Sequence, residues 1–163
     1  MSKNNLVIDR ENNVTTMERV FDAPKELLWK AHVDPTLIPK WWGPDEYSTI
    51  VEKMDVRVGG EWRYVHKGKD EKGQDAEYAF YGEYKELKEN ESLTWTFNFE
   101  PIGPGHEITE TIHFEEMEDG KTKLRTESHY KVIEDLEGMV GSGMEEGAIQ
   151  TWDRLEALTK TLG

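Results

Sequence analysis

Ser92-Leu93-Thr94-Trp95-Thr96-Phe97-Asn98-Phe99-Glu100 is the stretch on which the fold turns. Leu93, Trp95, Phe97 and Phe99 occupy alternate positions, with Thr94, Thr96 and Asn98 between them. A period of two belongs to a strand, whose successive side chains point to opposite faces. The same period continues outward. Trp62, Tyr64 and His66 share a face, as do Tyr78, Phe80, Gly82 and Tyr84, and as do Ile108, Ile112 and Phe114. The expected strands are Val14–Phe21, Tyr47–Arg57, Glu61–Lys67, Glu77–Leu87, Ser92–Glu100, His106–Met117 and Lys121–Val132. Between the later ones lie Gly59-Gly60, Gly68 to Gly73, Lys88-Glu89-Asn90, Pro101 to Gly105 and Asp119-Gly120, which are turn chemistry. Short turns join antiparallel neighbours, because parallel strands need long crossovers.

Upstream of Tyr47 the period is helical. Asp22-Ala23-Pro24 predicts a helix start, with Asp22 as N-cap and a proline in the first turn. Leu27, Leu28, Trp29 and Ala31 follow, and Asp34-Pro35 stops the helix, since a residue before proline avoids the helical region. A second short helix or turn is expected over Thr36–Trp42, ended by Gly43-Pro44. At the other end, a long helix over Leu136–Leu162 carries Val140, Met144, Ala148, Trp152, Leu155 and Leu162 on one stripe. Gly138, Gly141, Gly143 and Gly147 soften its first turns into a flexible entry. That stripe is the only element long enough to cover the apolar sheet face. The expected fold is α+β: a curved antiparallel sheet of about seven strands wrapped on a long C-terminal helix, with two short helices after the first strand. Residues 1–13 read as a polar arm, either loose or a short edge strand, and residues 14–163 as one domain. Gly82, in mid-strand on the inner face, permits a bend or a close approach.

Composition narrows the function classes. A chain of 163 residues buries a real core in a single domain. Against 20 basic residues stand 34 acidic ones, a net charge of −14, which repels phosphate backbones and anionic lipid surfaces. Neither nucleic acid nor membrane is expected as a partner. No window approaches the ~18 apolar residues of a membrane span. The early apolar run Leu6-Val7-Ile8 is too short for a signal peptide, so a cytoplasmic location is expected. The chain has no cysteine, which excludes disulfides, thiolate metal sites and cysteine nucleophiles. Six Trp, six Tyr and five Phe argue for a folded, aromatic interior even though 33 % of residues are charged.

The inward aromatics carry two readings. Trp62, Tyr64, Phe80, Trp95, Phe97 and Trp152 are either plain core or the wall of a pocket for a ring-bearing ligand. Two ionisable residues interrupt the same face: His66 beyond Trp62 and Tyr64, and Glu110 between Ile108 and Ile112. Burial raises the pKa of a glutamate and lowers that of a histidine, so these two are the nominees for orienting a ligand or moving a proton. The alternative places each at a strand end in water, or pairs it with a neighbour such as Arg19. Of the adjacent Trp41 and Trp42, one is expected on the sheet rim and the other at the cavity mouth, with Trp42 counted among the ligand-binding residues, unless the pair forms a docking patch. Met144 belongs to the helix stripe facing them. His32, His106, His113 and His129 form neither HxH nor HExxH spacing, so no metal site and no cofactor are expected. Ser128 and His129 alternate faces and cannot act together.

Several local motifs resemble the START-like helix-grip superfamily, and within it the family related to the heat-shock-protein ATPase activator domain. They are Phe21-Asp22-Ala23-Pro24, Trp29, Ala31, Asp34-Pro35, Trp41-Trp42-Gly43-Pro44, Arg57-Val58-Gly59-Gly60-Glu61-Trp62, Gly82, and Gly143-Met144 through Gly147 to Asp153-Arg154-Leu155. The resemblance runs from about Val14 to Leu162. It implies a deep apolar cavity between curved sheet and long helix, in a family whose single-domain members are mostly bacterial. Many members carry Trp where this chain has Ala148, and a leucine-like residue where it has Trp152. Superfamily members include lipid and hormone binders, cyclases and co-chaperones, and fold alone does not choose between them. The expectation adopted is a small-molecule-binding module, its ligand apolar or aromatic and lined by Trp42, Trp62, Tyr64, His66, Phe80, Trp95, Phe97, Glu110, Met144 and Trp152. A cyclase or hydrolase acting on a hydrophobic substrate is the first alternative. A co-chaperone of the stress response, with a chaperone or homodimer partner, is the second. The eukaryotic activators that this domain resembles pair it with a separate N-terminal domain, which the 163 residues are not expected to hold, and this lowers the co-chaperone reading.

Overall fold

The computed structural model describes residues 4–162. Eight strands form one antiparallel sheet: β1 (Asn5–Asp9), β2 (Val14–Phe21), β3 (Tyr47–Met54), β4 (Glu61–Lys69), β5 (Asp75–Lys88), β6 (Ser92–Phe99), β7 (Ile108–Glu116) and β8 (Thr122–His129). Their order across the sheet is β1-β2-β8-β7-β6-β5-β4-β3. The seven expected strands are all present. The eighth is β1, so of the two readings of the N-terminal segment the edge strand is the one found, paired along β2. Asn12 and Asn13 belong to the turn between β1 and β2. Asp9 Oδ1 accepts from the Glu11 and Asn12 amides at 3.1 and 3.2 Å, and Asn13 takes φ +56° to enter β2.

Helices α1 (Lys25–Val33) and α2 (Ile38–Trp41) connect β2, near one edge, to β3 at the other. Asp22 is not the N-cap. Pro24 holds that position at φ −71°, ψ 150°, and its own carbonyl receives the Leu27 amide at 3.1 Å. A proline already fixed in the extended region makes the non-helical cap without help from a side chain. The stop at Asp34 is as expected, with extended backbone at φ −99° and ψ 114°.

The long C-terminal helix is two helices, α3 (Ile133–Gly141) and α4 (Met144–Leu162). The break is Ser142-Gly143, where Gly143 adopts φ +85°, a conformation open to glycine and strained for other residues. The expected stripe divides there. Val140 packs with Ile108, Tyr130 and Leu136 in a small separate cluster. Trp152, Leu155 and Leu158, with Ala148 and Leu162 beside them, join the main core against the sheet.

That core is built of edge-on and stacked rings. Trp29 meets Phe114, and Phe21 meets Trp152, both edge-to-face. Trp62 stacks on Trp95 at 4.0 Å. Such pairs contribute about 0.5–1.5 kcal/mol beyond area burial. The β5–β6 ladder lapses between the pairs Tyr81–Asn98 and Tyr84–Trp95. There the Glu83 amide donates to Thr96 Oγ1 at 2.9 Å, and the Thr96 carbonyl accepts the Trp62 indole N–H at 3.2 Å. Gly82 lies in this gap, where the Thr96 carbonyl comes against it, which is the close approach expected of it.

Candidate functional site

A cavity of about 290 Å³ lies between the inner sheet face and the helices. The backbone register places its polar end. Trp95 on β6 pairs with Glu110 on β7, Glu110 with Ser128 on β8, and Ser128 with Thr15 on β2. Four neighbouring strands therefore present these side chains in one row. Trp95 Nε1 donates to Glu110 Oε1 at 2.9 Å, and Ser128 Oγ donates to Glu110 Oε2 at 2.9 Å. Thr15 Oγ1 and the Tyr130 hydroxyl are 3.0 Å apart. Ile108 and Ile112 flank Glu110 and are buried, so the surface Glu110 retains is turned to the cavity. Burial raises the Glu110 pKa, and the two donated hydrogen bonds oppose that rise. Arg19 is not its partner. Arg19 is buried and ion-paired to Asp153 at 2.8 Å and Glu156 at 3.2 Å, tying β2 to α4.

Nine of the ten expected ligand-binding residues line this cavity: Trp42, Tyr64, His66, Phe80, Trp95, Phe97, Glu110, Met144 and Trp152. Trp62 does not. It is 1 % exposed and lies behind Trp95, so it supports the wall without forming its surface. Leu93, Ile112 and Ala148, expected on the inner face and the helix stripe, also line it, and Thr15, Met17, His32, Ile38, Trp41, Gly43, Thr126, Ser128 and Thr151 join the lining unforeseen. Those on β2 and β8 had a signal in the sequence, the alternation Thr15, Met17 and Thr126, Ser128, which the polarity of Thr15, Thr126 and Ser128 disguised. Those on α1 and α2 had none.

The two adjacent tryptophans separate. Trp41 is 3 % exposed and donates Nε1–H to the Ala31 carbonyl at 2.9 Å, so it packs on α1 and not on the sheet rim. Trp42 is half-buried and meets Tyr64 and Phe80 edge-on at 5.0 and 5.2 Å. The turn that carries it is tied down from two sides. Arg154 of α4 donates to the Gly43 and Lys40 carbonyls at 3.0 and 3.3 Å, and the Thr49 hydroxyl donates to the Trp42 carbonyl.

Two histidines stand in the wall. His32 shares a 2.7 Å hydrogen bond between Nδ1 and the Leu28 carbonyl, which places the proton on Nδ1 in the neutral ring. His66 stacks on Tyr47, and its buried Nε2 has no hydrogen-bond partner. That nitrogen faces Gly43, where an added Cβ would come within 2.5 Å of it. Burial pushes both imidazoles down to about 4, aided at His66 by the Arg154 charge and opposed at His32 by its bond to Leu28. In the unfolded chain they titrate near 6.5. Between those values the unfolded state binds more protons, so stability falls on acidification, by about 1.4 kcal/mol per pH unit for each ring. Glu110, with its raised pKa, acts in the opposite sense, because its native form takes up a proton first. Urea unfolding is expected to show a loss of about 2–4 kcal/mol between pH 7 and pH 5. Equal stability at the two pH values would mean that the rings are not held neutral.

Among the described residues, no three His, Asp or Glu side chains gather in a metal-holding group. Ser128 and His129 face apart: Ser128 binds Glu110, whereas exposed His129 binds Glu127 at 2.7 Å. No helix among the described residues is long and apolar enough to cross a membrane. The site is an aromatic chamber with one carboxyl at its polar end.

Solved structures of similar shape include several bacterial proteins. A protein from Mycobacterium smegmatis is 27 % identical, with 98 % of each chain covered and a TM-score of 0.84. One from Chromobacterium violaceum is 26 % identical over 90 % of this chain and 96 % of its own, with a TM-score of 0.77. A Rhodobacter sphaeroides protein, at 19 % identity, shares the fold with a TM-score of 0.85 over 97 % and 99 % of the two chains. No curated protein matches. The family described as activator of Hsp90 ATPase homolog 1-like protein matches residues 22–160. With that span covering most of the chain, and with the sheet and C-terminal helix of the helix-grip fold in place, the protein belongs to the activator of Hsp90 ATPase homolog 1-like family.

Proposed function

We propose that the protein binds an apolar, ring-bearing small molecule in the chamber between sheet and α4, as a cytoplasmic binding module. The observation that carries this is the 290 Å³ cavity with its wall of Trp, Tyr and Phe rings. A dry apolar cavity of about 150 Å³ takes a benzene, so this one takes about two rings. The affinity comes from burial, about 0.8 kcal/mol for each methylene removed from water. Rigid rings supply contact area with little loss of rotamer freedom. The Glu110 carboxyl, with Ser128 beside it, fixes orientation.

Compounds of indole and naphthalene size should quench tryptophan fluorescence saturably and raise the melting temperature. At a hundred times Kd the stabilisation is about 2.7 kcal/mol. Ala148 is half-buried on α4, and its methyl group faces the chamber. Ala148→Trp is expected to fill the space and abolish binding while leaving unfolding within about 1–2 kcal/mol of the parent. Undiminished binding in that variant would remove the chamber as the site.

Family membership favours one second reading, stimulation of a chaperone ATPase. Measuring the ATPase rate with and without the protein tests it directly, and an unchanged rate removes it.

A further inference from the structure

The chamber is electrically one-sided. Among the described residues, Glu110 is its only acidic lining residue, and no lysine or arginine lines it. The basic groups packed around it are already engaged. Arg19 is paired with Asp153 and Glu156, and Arg154 donates to the Gly43 and Lys40 carbonyls. Arg125, on the same strand as Ser128, pairs with Glu115 and Glu127. The lining imidazoles of His32 and His66 are uncharged near neutral pH. What remains is a carboxylate in an aromatic chamber, with two hydrogen-bond donors and no cation.

A carboxylate taken out of water without a counter-charge carries a desolvation penalty that two neutral donors only partly offset. Both donors also hold its oxygens as acceptors: the indole N–H of Trp95 has no other role, and Ser128 donates to the second oxygen. The free lone pairs are turned to the cavity. The cavity they face is lined by Trp42, Tyr64, Trp95 and Trp152, and aromatic faces attract cations. The protein's net charge of −14 draws cations toward it and repels anions.

We infer that the ligand is a cationic arylalkylamine, its ammonium group held by the Glu110 carboxylate and its ring by the indole and phenyl wall. The inference rests on the binding function proposed above and adds the charge of the ligand. An ammonium supplies the missing counter-charge, whereas a neutral isostere leaves the carboxylate unpaired. A carboxylate ligand sets two like charges side by side.

Three indoles of nearly equal size separate these cases: tryptamine, 3-propylindole and indole-3-propionate. Titration calorimetry of the full chain at pH 7 should find tryptamine bound about 10-fold or more tighter than 3-propylindole, and indole-3-propionate weakest. Glu110→Gln should abolish the preference for tryptamine while leaving 3-propylindole within about 2-fold, which also reports an intact chamber. The wild-type series decides the ligand charge even where the variant fails to fold. If 3-propylindole or the propionate binds as tightly as tryptamine, the inference falls and the chamber remains a binding site. A tryptamine preference that survives Glu110→Gln removes Glu110 from the role. Absence of binding by all three overturns the inference together with the function on which it rests.

Discussion

Replacing Gly82 by alanine is expected to destabilise the domain by about 3 kcal/mol or more, and to lower its melting temperature by roughly 10 °C. A Cβ at this position would lie 1.8 Å from the Thr96 carbonyl oxygen and 2.8 Å from Trp62 Nε1. The obstruction is backbone, so no side chain can rotate away. Either β6 retreats from β5, or the bend relaxes and the Thr96 carbonyl loses the Trp62 indole. Both routes disturb the Trp62–Trp95 stack beneath the chamber. Gly59 is the contrasting control. It has open space around its Cβ, and its φ of +86° alone carries the strain there, so Gly59→Ala is expected to be the milder of the two. Urea unfolding of both variants checks this, and a Gly82→Ala protein within 1 kcal/mol of the parent would refute the close approach.

Trp62→Ala is expected to cost about 3–5 kcal/mol, the range for removing a buried tryptophan. The indole is 1 % exposed, stacks on Trp95, and satisfies the Thr96 carbonyl that the β5–β6 ladder leaves free. Trp62→Phe keeps a ring against Trp95 but loses the hydrogen bond, and should cost about 1–3 kcal/mol. The comparison with ligand binding is informative, because Trp62 lies outside the chamber surface. At ligand concentrations that saturate the parent, folded Trp62→Phe should still bind. Loss of ligand binding without loss of stability would place Trp62 in the wall and contradict the packing.

Much of the architecture was readable from alternation. Every expected strand is present because one face of each had to be buried, and a period of two shows which residues share that face. Alternation gives a face but not a depth. Trp62 and Trp95 lie on the same side of the sheet, yet only Trp95 reaches the chamber, since Trp62 sits behind it. The C-terminal glycines marked a weak stretch, but not which of them breaks the helix. Gly143 does so because the apolar residues on its two sides serve different clusters, Val140 and Leu136 in one and Trp152 and Leu155 in the other. Asp22 had the right chemistry for a cap, and Pro24 had the right geometry two residues closer to the helix.

That His66 and Glu110 face inward and not into water at a strand end is decided by the tertiary structure, whereas the alternation that nominates them, the aromatic character of the wall and the acidity of the whole are properties of the amino-acid order alone. They follow from local periodicity and summed charge, which need no partner strand. The row Trp95–Glu110–Ser128–Thr15 is different. It exists because β6, β7, β8 and β2 pair in one register, and a slip by a single residue would turn every one of those side chains to the opposite face. The position of α1 and α2 over the sheet is likewise set by packing, and with it the places of His32, Ile38 and Trp41 in the chamber. Non-local pairing energies choose register and docking, and no stretch of sequence contains them by itself. The chamber and its lone carboxyl therefore belong to the tertiary structure, while the residues able to build them were already visible in the chain.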